Sequence, residues 1–342
     1  MEFVCFASLD ELPASADALF AEGAKRSIFL SRPWFDNLTA HAEKNGEKSR
    51  FACVVDQGEV RAILPLAESG DGNWRSLHHR YTSFFSLLLA AEDRRRTVAC
   101  LTEGLFALPC TGLLLEPIGD DDAAITDLQR AFEAAGCHCE RNFRFYNWIL
   151  RLDGQSFDDY LASRPSRLRN TIRRKQRKLQ REHALEIRLH IGDEAPRAMA
   201  DYHAVYRASW KANEQYKNFL DGMVERFSSV GATRLGVLHA DGQPVAAQLW
   251  FVMHGKASIF RLAYDEQWRP YSPGSILTSH LMRHVIDIDG VSEVDFLTGN
   301  EAYKQEWMSL RRERWALGCA CPALRTSRLA RLAGTIRRRL GS

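Results

Sequence analysis

Long hydrophobic runs are absent from this 342-residue chain, and their absence argues against a membrane-spanning protein. No stretch approaches the roughly 18 consecutive apolar residues that indicate a transmembrane helix. The first residues, MEFVCFASLDELPA, lack a basic start followed by an apolar run, so no secretory signal is expected. Eight cysteines without such a signal predict reduced thiols and a cytoplasmic setting.

Motifs for metal binding and for a catalytic nucleophile are also missing. The pairs Cys137/Cys139 and Cys319/Cys321 have C-x-C spacing. Zinc sites usually use C-x2-C or wider spacing, so buried or strand-borne thiols are favoured and no metal is expected. No local motif indicates a Ser/His/Asp or Cys/His nucleophile.

Acidic residues are missing from two strongly basic stretches. Nine Lys and Arg residues lie between Arg164 and Arg181, and six Arg residues lie between Arg325 and Arg339. Without these fifteen cations the rest of the chain has a formal charge of −12, although the whole carries +3. This asymmetry predicts that anions such as CoA phosphates, tRNA or lipid head groups bind at defined places. The first stretch has no interleaved aromatic residues, which disfavours stacking on single-stranded nucleic acid.

The second basic stretch has the pattern of an amphipathic helix. Apolar residues recur at helical spacing between Arg325 and Leu340, with arginines between them. Basic amphipathic helices of this kind lie on anionic membrane surfaces. The alternative is a frayed cationic tail, since Gly334 weakens the helix by roughly 1 kcal/mol.

The length predicts two domains of roughly 150 residues each. The first half is predicted to be mixed α and β, with a helix over 27–42 that turns Trp34, Phe35 and Leu38 inward, and a hairpin at Gln57-Gly58. Residues 153–163 are predicted to form a hinge. The second half is predicted to have the order β-α-α-β-β-β-α-β-α-β after a basic helix that ends near Glu182 and has one narrow apolar stripe, Leu168, Ile172 and Leu179.

The segment YSPGSILTSHLMRHVIDIDGVSEVDFLTGNEAYKQEW, residues 271–307, carries the strongest functional signal. A Pro-Gly turn opens a helix, and the first free N–H groups of such a helix point at an anion. A strand follows and ends near Asp295, before a polar turn opens a second predicted helix over 301–311. The segment therefore predicts an anion-binding site and, one strand away, titratable side chains.

FLSRPWF, LRNTIRRKQRKLQR and YSPGSIL…VDFLTGNEAYKQEW resemble the FemAB-like acyltransferases of the GCN5-related N-acetyltransferase (GNAT) superfamily, and most of all the CelD-type branch that is linked to exopolysaccharide synthesis. The resemblance spans roughly residues 25–320. It implies an α/β fold with two GNAT-like domains in tandem, a degenerate one over 1–152 and a catalytic one over 153–322, followed by the basic tail 323–342.

The resemblance also implies that acyl-CoA is the co-substrate and an amine is the acceptor. The turn at Ser272, Gly274 and Ser275, with Arg269 nearby, would seat the pyrophosphate, although an ordinary capped turn would look the same. GNAT enzymes often place a general-acid tyrosine where Tyr303 lies, and a packed aromatic residue is the alternative. Asp295, or less strongly Glu301, would act as the base, unless these carboxylates only brace a loop or favour a helix. Lys304 would hold a phosphate or an acceptor carboxylate, or is simply exposed.

Arg261 and Tyr264 lie on the strand that would line the acyl-CoA cleft. Tyr206 and Trp210 share a helical face with His203 and would overlook the acceptor, whereas core packing is the plainer reading of that face.

The predicted function is a cytoplasmic N-acyltransferase at the inner membrane face, acting on an amine of a lipid, for example in ceramide synthesis, or of an exopolysaccharide precursor. One alternative is FemAB-type transfer of an aminoacyl group from tRNA, with RNA bound by the basic helix. The other is a non-catalytic scaffold in an envelope-synthesis complex.

Overall fold

The computed structural model describes residues 1–42, 48–68, 73–108, 110, 112–211 and 216–320. The predicted amphipathic tail lies outside these described residues. The chain divides into two compact units. The first unit comprises Met1–Phe145 and the chain from Glu313 onward, and the second unit comprises Tyr146–Arg312. Among the described residues, no helix is long and apolar enough to cross a membrane.

The first unit combines one β-sheet with four helices among its described residues. Its elements are β1 (Glu2–Phe6), α1 (Ala16–Arg26), α2 (Arg32–Ala42), β2 (Lys48–Asp56), β3 (Glu59–Glu68), β4 (Asn73–Ser76), β5 (Leu88–Leu89), α3 (Arg94–Ala107), β6 (Gly112–Gly119) and α4 (Ala123–Ala134), together with the start of β7 (His138–Arg151) and most of β13 (Leu310–Ala320). The strand order is β1-β2-β3-β4-β6-β13, and β5 pairs with β3.

Two local predictions for the first unit are confirmed. Trp34, Phe35 and Leu38 on α2 are buried. Gln57 and Gly58 connect β2 and β3 with positive φ angles of 52° and 84°, the backbone that a tight two-residue hairpin requires.

Helix α3 and strand β6 were not predicted from the sequence. The expectation that every thiol is reduced is wrong at Cys137, which is disulfide-bonded. Six other described cysteines are free, and the Sγ atoms of Cys139 and Cys319 lie 2.8 Å apart.

The second unit is built on the remaining strands. After the end of β7 it contains α5 (Phe157–Ala162), α6 (Ser166–Glu182), β8 (Leu185–Ile191), α7 (Met199–Arg207), α8 (Lys217–Ser229), β9 (Thr233–Ala240), β10 (Gln243–Met253), β11 (Lys256–Tyr264), α9 (Pro273–Asp287), β12 (Glu293–Thr298), α10 (Ala302–Trp307) and the start of β13. The strand order is β7-β12-β11-β10-β9-β8. From β8 to β13 the element order β-α-α-β-β-β-α-β-α-β is the predicted one.

Part of the predicted hinge is helical, and the last helix is shorter than predicted. Within residues 153–163 the chain forms α5, because Ser156 and Asp159 satisfy each other's backbone N–H groups in a capping box. The last helix ends at Trp307 instead of extending to residue 311. The Ser309 N–H donates to the Ile149 carbonyl of β7 at 3.1 Å, so the backbone leaves the helix and enters a strand.

The basic helix α6 packs through the narrow apolar stripe that the sequence predicted. Leu168, Ile172 and Leu179 are 3%, 5% and 0% exposed. Near its C-terminal end, Lys175 donates to the Pro270 carbonyl and the Lys178 ammonium lies 4.6 Å from the centre of the Tyr271 ring. Lys175 and Lys178 therefore stabilise the loop that precedes α9, so their ammonium groups are engaged within the protein.

The start of α4 provides a test of packing in the first unit. The buried Asp122 carboxylate accepts hydrogen bonds from the Ala124 and Ile125 N–H groups at 3.1 and 3.4 Å and from Arg26 at 3.0 Å. We expect Asp122→Ala to lower the free energy of unfolding by about 1–2 kcal/mol through loss of the cap. Asp122→Asn keeps a capping oxygen, so its cost should be clearly smaller. Urea unfolding of both variants measures this difference, and equal costs would show that the ion pair to Arg26 outweighs the cap.

Candidate active site

Two neighbouring parallel strands of the second unit separate partway along their length. β11 pairs with β12 only over Lys256↔Glu293, Ala257↔Val294 and Ser258↔Asp295. Residues 259–264 continue along β10 without a partner in β12. A strand edge that lacks its neighbour presents backbone N–H and C=O groups, which an extended amide-containing ligand can pair with.

The N-terminus of α9 follows β11 through a short 3₁₀ turn, Glu266–Tyr271. Ser272 precedes the helix with a left-handed backbone and makes no side-chain cap. The Ser275 and Ile276 N–H groups both donate to the Ser272 carbonyl, at 3.1 and 3.2 Å. The Gly274 N–H and the exposed Arg269 guanidinium have no hydrogen-bond partner among the described residues, so both remain available to an anion.

Gly274 is required by close packing. A Cβ added there would lie 3.3 Å from the Tyr264 ring, tighter than an ordinary contact. Its carbonyl accepts hydrogen bonds from Gln248 Nε2 and from the Thr278 hydroxyl, both at 2.9 Å. Gln248 is fully buried, and its Oε1 accepts from Trp250 Nε1 at 3.0 Å. Strand β10 thereby fixes the position of the first turn of α9.

The structure brings together the four side chains predicted to meet the substrate. The Trp210 and Tyr264 rings lie 4.7 Å apart, and the Arg261 guanidinium lies 5.9 Å from the centre of the Tyr206 ring. Lys211 joins them: its ammonium lies within 6 Å of the Tyr206 and Trp210 rings and donates to the Leu262 carbonyl. We call Tyr206, Trp210, Lys211, Arg261 and Tyr264 the β11 cluster.

The side chains of the β11 cluster differ in their exposure to solvent. Tyr206 is 6% exposed and packs as part of the core, whereas Trp210 is 48% exposed and presents an aromatic surface to solvent. The third member of the predicted helical face, His203, hydrogen bonds through Nε2 to Asp221 at 2.7 Å. Core packing therefore explains part of that face, and Trp210 is its accessible member.

Asp295 lies at the last β11–β12 pair, where its carboxylate is almost fully engaged. Its oxygens accept from Arg312 at 2.7 Å, from the Leu297 N–H at 2.6 Å and from Asn147 Nδ2 at 3.3 Å. Arg312 also pairs with Glu293. Burial opposes the charge of Arg312, but the two carboxylates outweigh burial and raise its pKa. These contacts give Asp295 the role of bracing the end of β12.

Strain accompanies this bracing. Leu297 has a φ of +54°, a backbone conformation that typically costs a non-glycine residue about 1–2 kcal/mol. The pairing of β12 with β7 shifts register between Asp295 and Thr298. The Asp295–Leu297 hydrogen bond holds this bulge in place at the point where β12 leaves β11.

Tyr303 retains a free hydroxyl in α10. Its ring contacts Phe296 edge-on at 5.6 Å, 42% of the residue is exposed, and its hydroxyl makes no hydrogen bond to a described residue. Partial desolvation, with the Glu301 carboxylate adding to it, raises the pKa of Tyr303. The phenol is therefore protonated at neutral pH, the form that a general acid needs.

Lys304 is buried, contrary to the exposed lysine that a phosphate contact would use. Its ammonium donates to the Thr298 carbonyl at 2.6 Å and the Phe296 carbonyl at 3.3 Å, and it pairs with Glu301 at 3.0 Å. All three donors brace the turn before α10. Glu301 is the exposed carboxylate of the site, with its side chain 58% exposed.

Sequence reasoning missed three residues that shape the site: Gln248, Asn147 and Arg312. Gln248 in PVAAQLWFVM and Asn147 in FYNWIL are polar residues inside apolar strands, and both are fully buried. That pattern is the available signal, because a buried amide must find hydrogen-bond partners. Nothing in the local sequence marks Arg312. Among the described residues, no group of three or more His, Cys, Asp or Glu side chains is placed to hold a metal.

Comparison with a family model places this site in a known domain. Residues 166–305 match the acetyltransferase (GNAT) domain, a segment that includes α9, β11, β12 and Tyr303. A sequence search of curated proteins finds no match. Within the second unit, residues 166–305 thus match a GNAT domain, the superfamily that the resemblance predicted.

Solved structures extend the similarity over almost the whole chain. FemX superposes with a TM-score of 0.64 at 11% identity, covering 93% of this chain and 97% of FemX. A conserved protein of unknown function from Bacteroides thetaiotaomicron gives 0.61 at 10% identity, covering 93% and 99%. The C-terminal domain of a protein assigned as a lysylphosphatidylglycerol synthetase from Agrobacterium fabrum gives 0.55 at 14% identity, covering 94% and 97%. The chain therefore shares its fold with FemX, and residues 166–305 match a GNAT domain.

Substitution of Gln248 tests how the first turn of α9, the proposed anion-binding site, is positioned. Gln248→Leu removes the donor to Gly274 and leaves the Trp250 N–H buried without its acceptor, so we expect a loss of about 1–3 kcal/mol in unfolding free energy. Thr278→Val is the control. It removes a hydroxyl that donates to the Gly274 carbonyl and accepts from Gln248 Nε2 at 2.8 Å, while the Gln248–Gly274 bond remains. Amide hydrogen exchange should be faster at residues 274–276 in Gln248→Leu than in the control. Equal exchange in both variants would contradict a positioning role for Gln248.

Proposed function

We propose that this protein transfers an acyl group from acyl-CoA to an amine acceptor. The observation that carries the proposal is the opening between β11 and β12, which lies beside the N-terminus of α9 in a segment that matches a GNAT domain. That N-terminus has no side-chain cap. A CoA thioester has two parts that match this site. Its pyrophosphate suits Gly274 N–H and Arg269, and its amide-containing arm suits the unpaired edge of β11.

The reaction needs a proton acceptor and a proton donor. The ammonium first loses a proton to become a nucleophilic amine. The C–N bond then forms as the C–S bond breaks, the nitrogen loses a second proton, and the leaving thiolate gains one. We assign the donor to Tyr303, because its hydroxyl is protonated and unengaged. We assign the acceptor role to Glu301, whose side chain is 58% exposed although it pairs with Lys304, because Asp295 is committed to Arg312, Leu297 and Asn147.

For the acceptor we propose an amine on a lipid or a polysaccharide precursor, with long-chain bases of ceramide synthesis as the specific case. The exposed Trp210, whose ring is tilted against that of Tyr264, supports an acceptor with apolar surface near the amine. We further propose that the protein works in the cytoplasm at the inner membrane face. This location rests on the basic residues between Arg325 and Leu340 and on the attraction of such segments to anionic lipids.

A second candidate is transfer of an aminoacyl group from tRNA. It is favoured by the fold shared with FemX and by α6, where five arginines have no hydrogen bond or ion pair to a described residue. These are Arg167, Arg169, Arg173, Arg174 and Arg177. RNA held by such cations dissociates steeply as salt rises, which separates this candidate from acyl-CoA use.

Acyl-CoA binding is the first test. A ligand that binds only the folded state raises the midpoint of thermal unfolding, so CoA, acetyl-CoA and a long-chain acyl-CoA should each stabilise the protein. Arg269→Gln should weaken CoA binding by about tenfold, because it removes a charge-assisted contact to phosphate. Arg174→Gln, another exposed arginine without a described partner, is the control for lost charge.

The pattern of midpoints discriminates among the candidates. A larger shift with the long-chain thioester supports a lipid acceptor and a screen of long-chain amines. Shifts with none of the three thioesters would refute the acyl-CoA proposal and favour the aminoacyl-tRNA or scaffold alternatives.

Tyr303→Phe tests the general acid. We expect kcat to fall by roughly 10²–10³, as for loss of acid catalysis, with little change in the KM for acyl-CoA. In an acyl thioester of an acidic aryl thiol, the thiolate leaves without protonation. This substrate should therefore restore most of the rate of Tyr303→Phe. Because the pKa of Tyr303 is raised, its proton stays in place above the usual tyrosine value of about 10, so Tyr303 ionisation should cause no loss of activity below that pH. An equal defect with both thioesters would exclude the acid role.

A further inference from the structure

A second cavity in the same unit lies away from the opening between β11 and β12. It has a volume of about 460 Å³ and lies between α6 and α9, bounded by α5 and by Ile187 of β8. The lining positions follow helical periodicity on both helices: 169, 172, 173 and 176 on α6, and 276, 279, 280 and 283 on α9. One face of each helix therefore builds the cavity.

The cavity has an apolar floor and a basic rim. Phe157, Ile172 and Ile276 are 2%, 5% and 2% exposed, whereas Arg169 and Arg173 are exposed at its edge. The lining combines apolar side chains with polar and charged ones, and the volume lies in the range of roughly 300–1,000 Å³ that small-molecule sites occupy.

The charges around the rim are not balanced. Arg283 pairs with Asp158 at 2.6 Å and lies 4.4 Å from the centre of the Phe157 ring, so this cation is already engaged. Arg169 and Arg173 have no hydrogen bond or ion pair to any described residue. Two guanidinium groups, one helical turn apart, therefore face the cavity without a counter-charge.

His280 of α9 also lines the cavity, and its imidazole is neutral. Partial desolvation lowers the pKa of His280, and the nearby His284 and Arg283 add to this effect. At neutral pH His280 is thus a hydrogen-bonding group and not a third free cation.

We propose that this cavity binds an anionic amphiphile: a phosphate-bearing head group held by Arg169 and Arg173, with a single apolar chain on the floor formed by Phe157, Ile172 and Ile276. Arginine matches phosphate oxygens with two parallel N–H donors, which a lysine-rich surface would not do. Ile276 of this site lies in the first turn of α9, but the two arginines lie on α6, so the proposed binding does not depend on acyl-CoA use.

Decyl phosphate below its micelle concentration is the probe, with inorganic phosphate and the uncharged decyl maltoside as comparisons. We expect calorimetric titration to show saturable binding of decyl phosphate, and at least about tenfold weaker binding of the other two, because both halves of the site contribute. The double variant Arg169→Gln/Arg173→Gln should lose about tenfold in affinity or more.

The matched control is Arg167→Gln/Arg174→Gln. It removes the same charge from exposed arginines on the opposite side of α6, so it should leave the affinity unchanged. Ser279→Phe tests the floor by filling the cavity without changing charge, and should weaken decyl phosphate while the thermal midpoint shows that the protein remains folded. Three results would overturn the proposal: no binding to the natural protein, equal loss in the two arginine doubles, or equal affinity for inorganic phosphate.

Discussion

The separation of β11 from β12 after three paired residues is the constraint on which the site depends. Parallel strands require a crossover, and here α9 supplies it, which places a helix N-terminus just beyond the free part of β11. The bulge at Leu297, held by the Asp295 carboxylate, which also pairs with Arg312, lies at the point where the two strands separate.

Several residues whose side chains could take part in catalysis instead stabilise the structure around the site. Asp295 and Lys304 have the side chains expected of a base and of a phosphate contact, yet their partners are an arginine, an amide and backbone groups of the turn that follows β12. Buried charges need such partners, because an unpaired charge in the interior is costly. Tyr303 differs because its polar atom is left unengaged, and that distinction supports a role for it in proton transfer.

The basic helix shows how a fold sorts like charges into different tasks. Lys175 and Lys178 brace the loop before α9, Arg169 and Arg173 border the cavity, and Arg167 points to the opposite side. The apolar stripe sets these directions, because burying Leu168, Ile172 and Leu179 leaves the helix no other rotation. A single run of cations therefore provides both structural contacts and an unbalanced pair.

Periodic patterns were sufficient for the order of elements in the second unit, for the stripe on α6 and for the turn at Gly274, because each depends on residues close in sequence. The same patterns missed α3 and extended α10 too far, since the competing pairing of Ser309 with β7 joins distant parts of the chain. Sequence alone determined which residue types could bind an anion and donate a proton. Only tertiary structure decided which of them were already engaged, because a side chain's availability depends on the partners that folding brings to it.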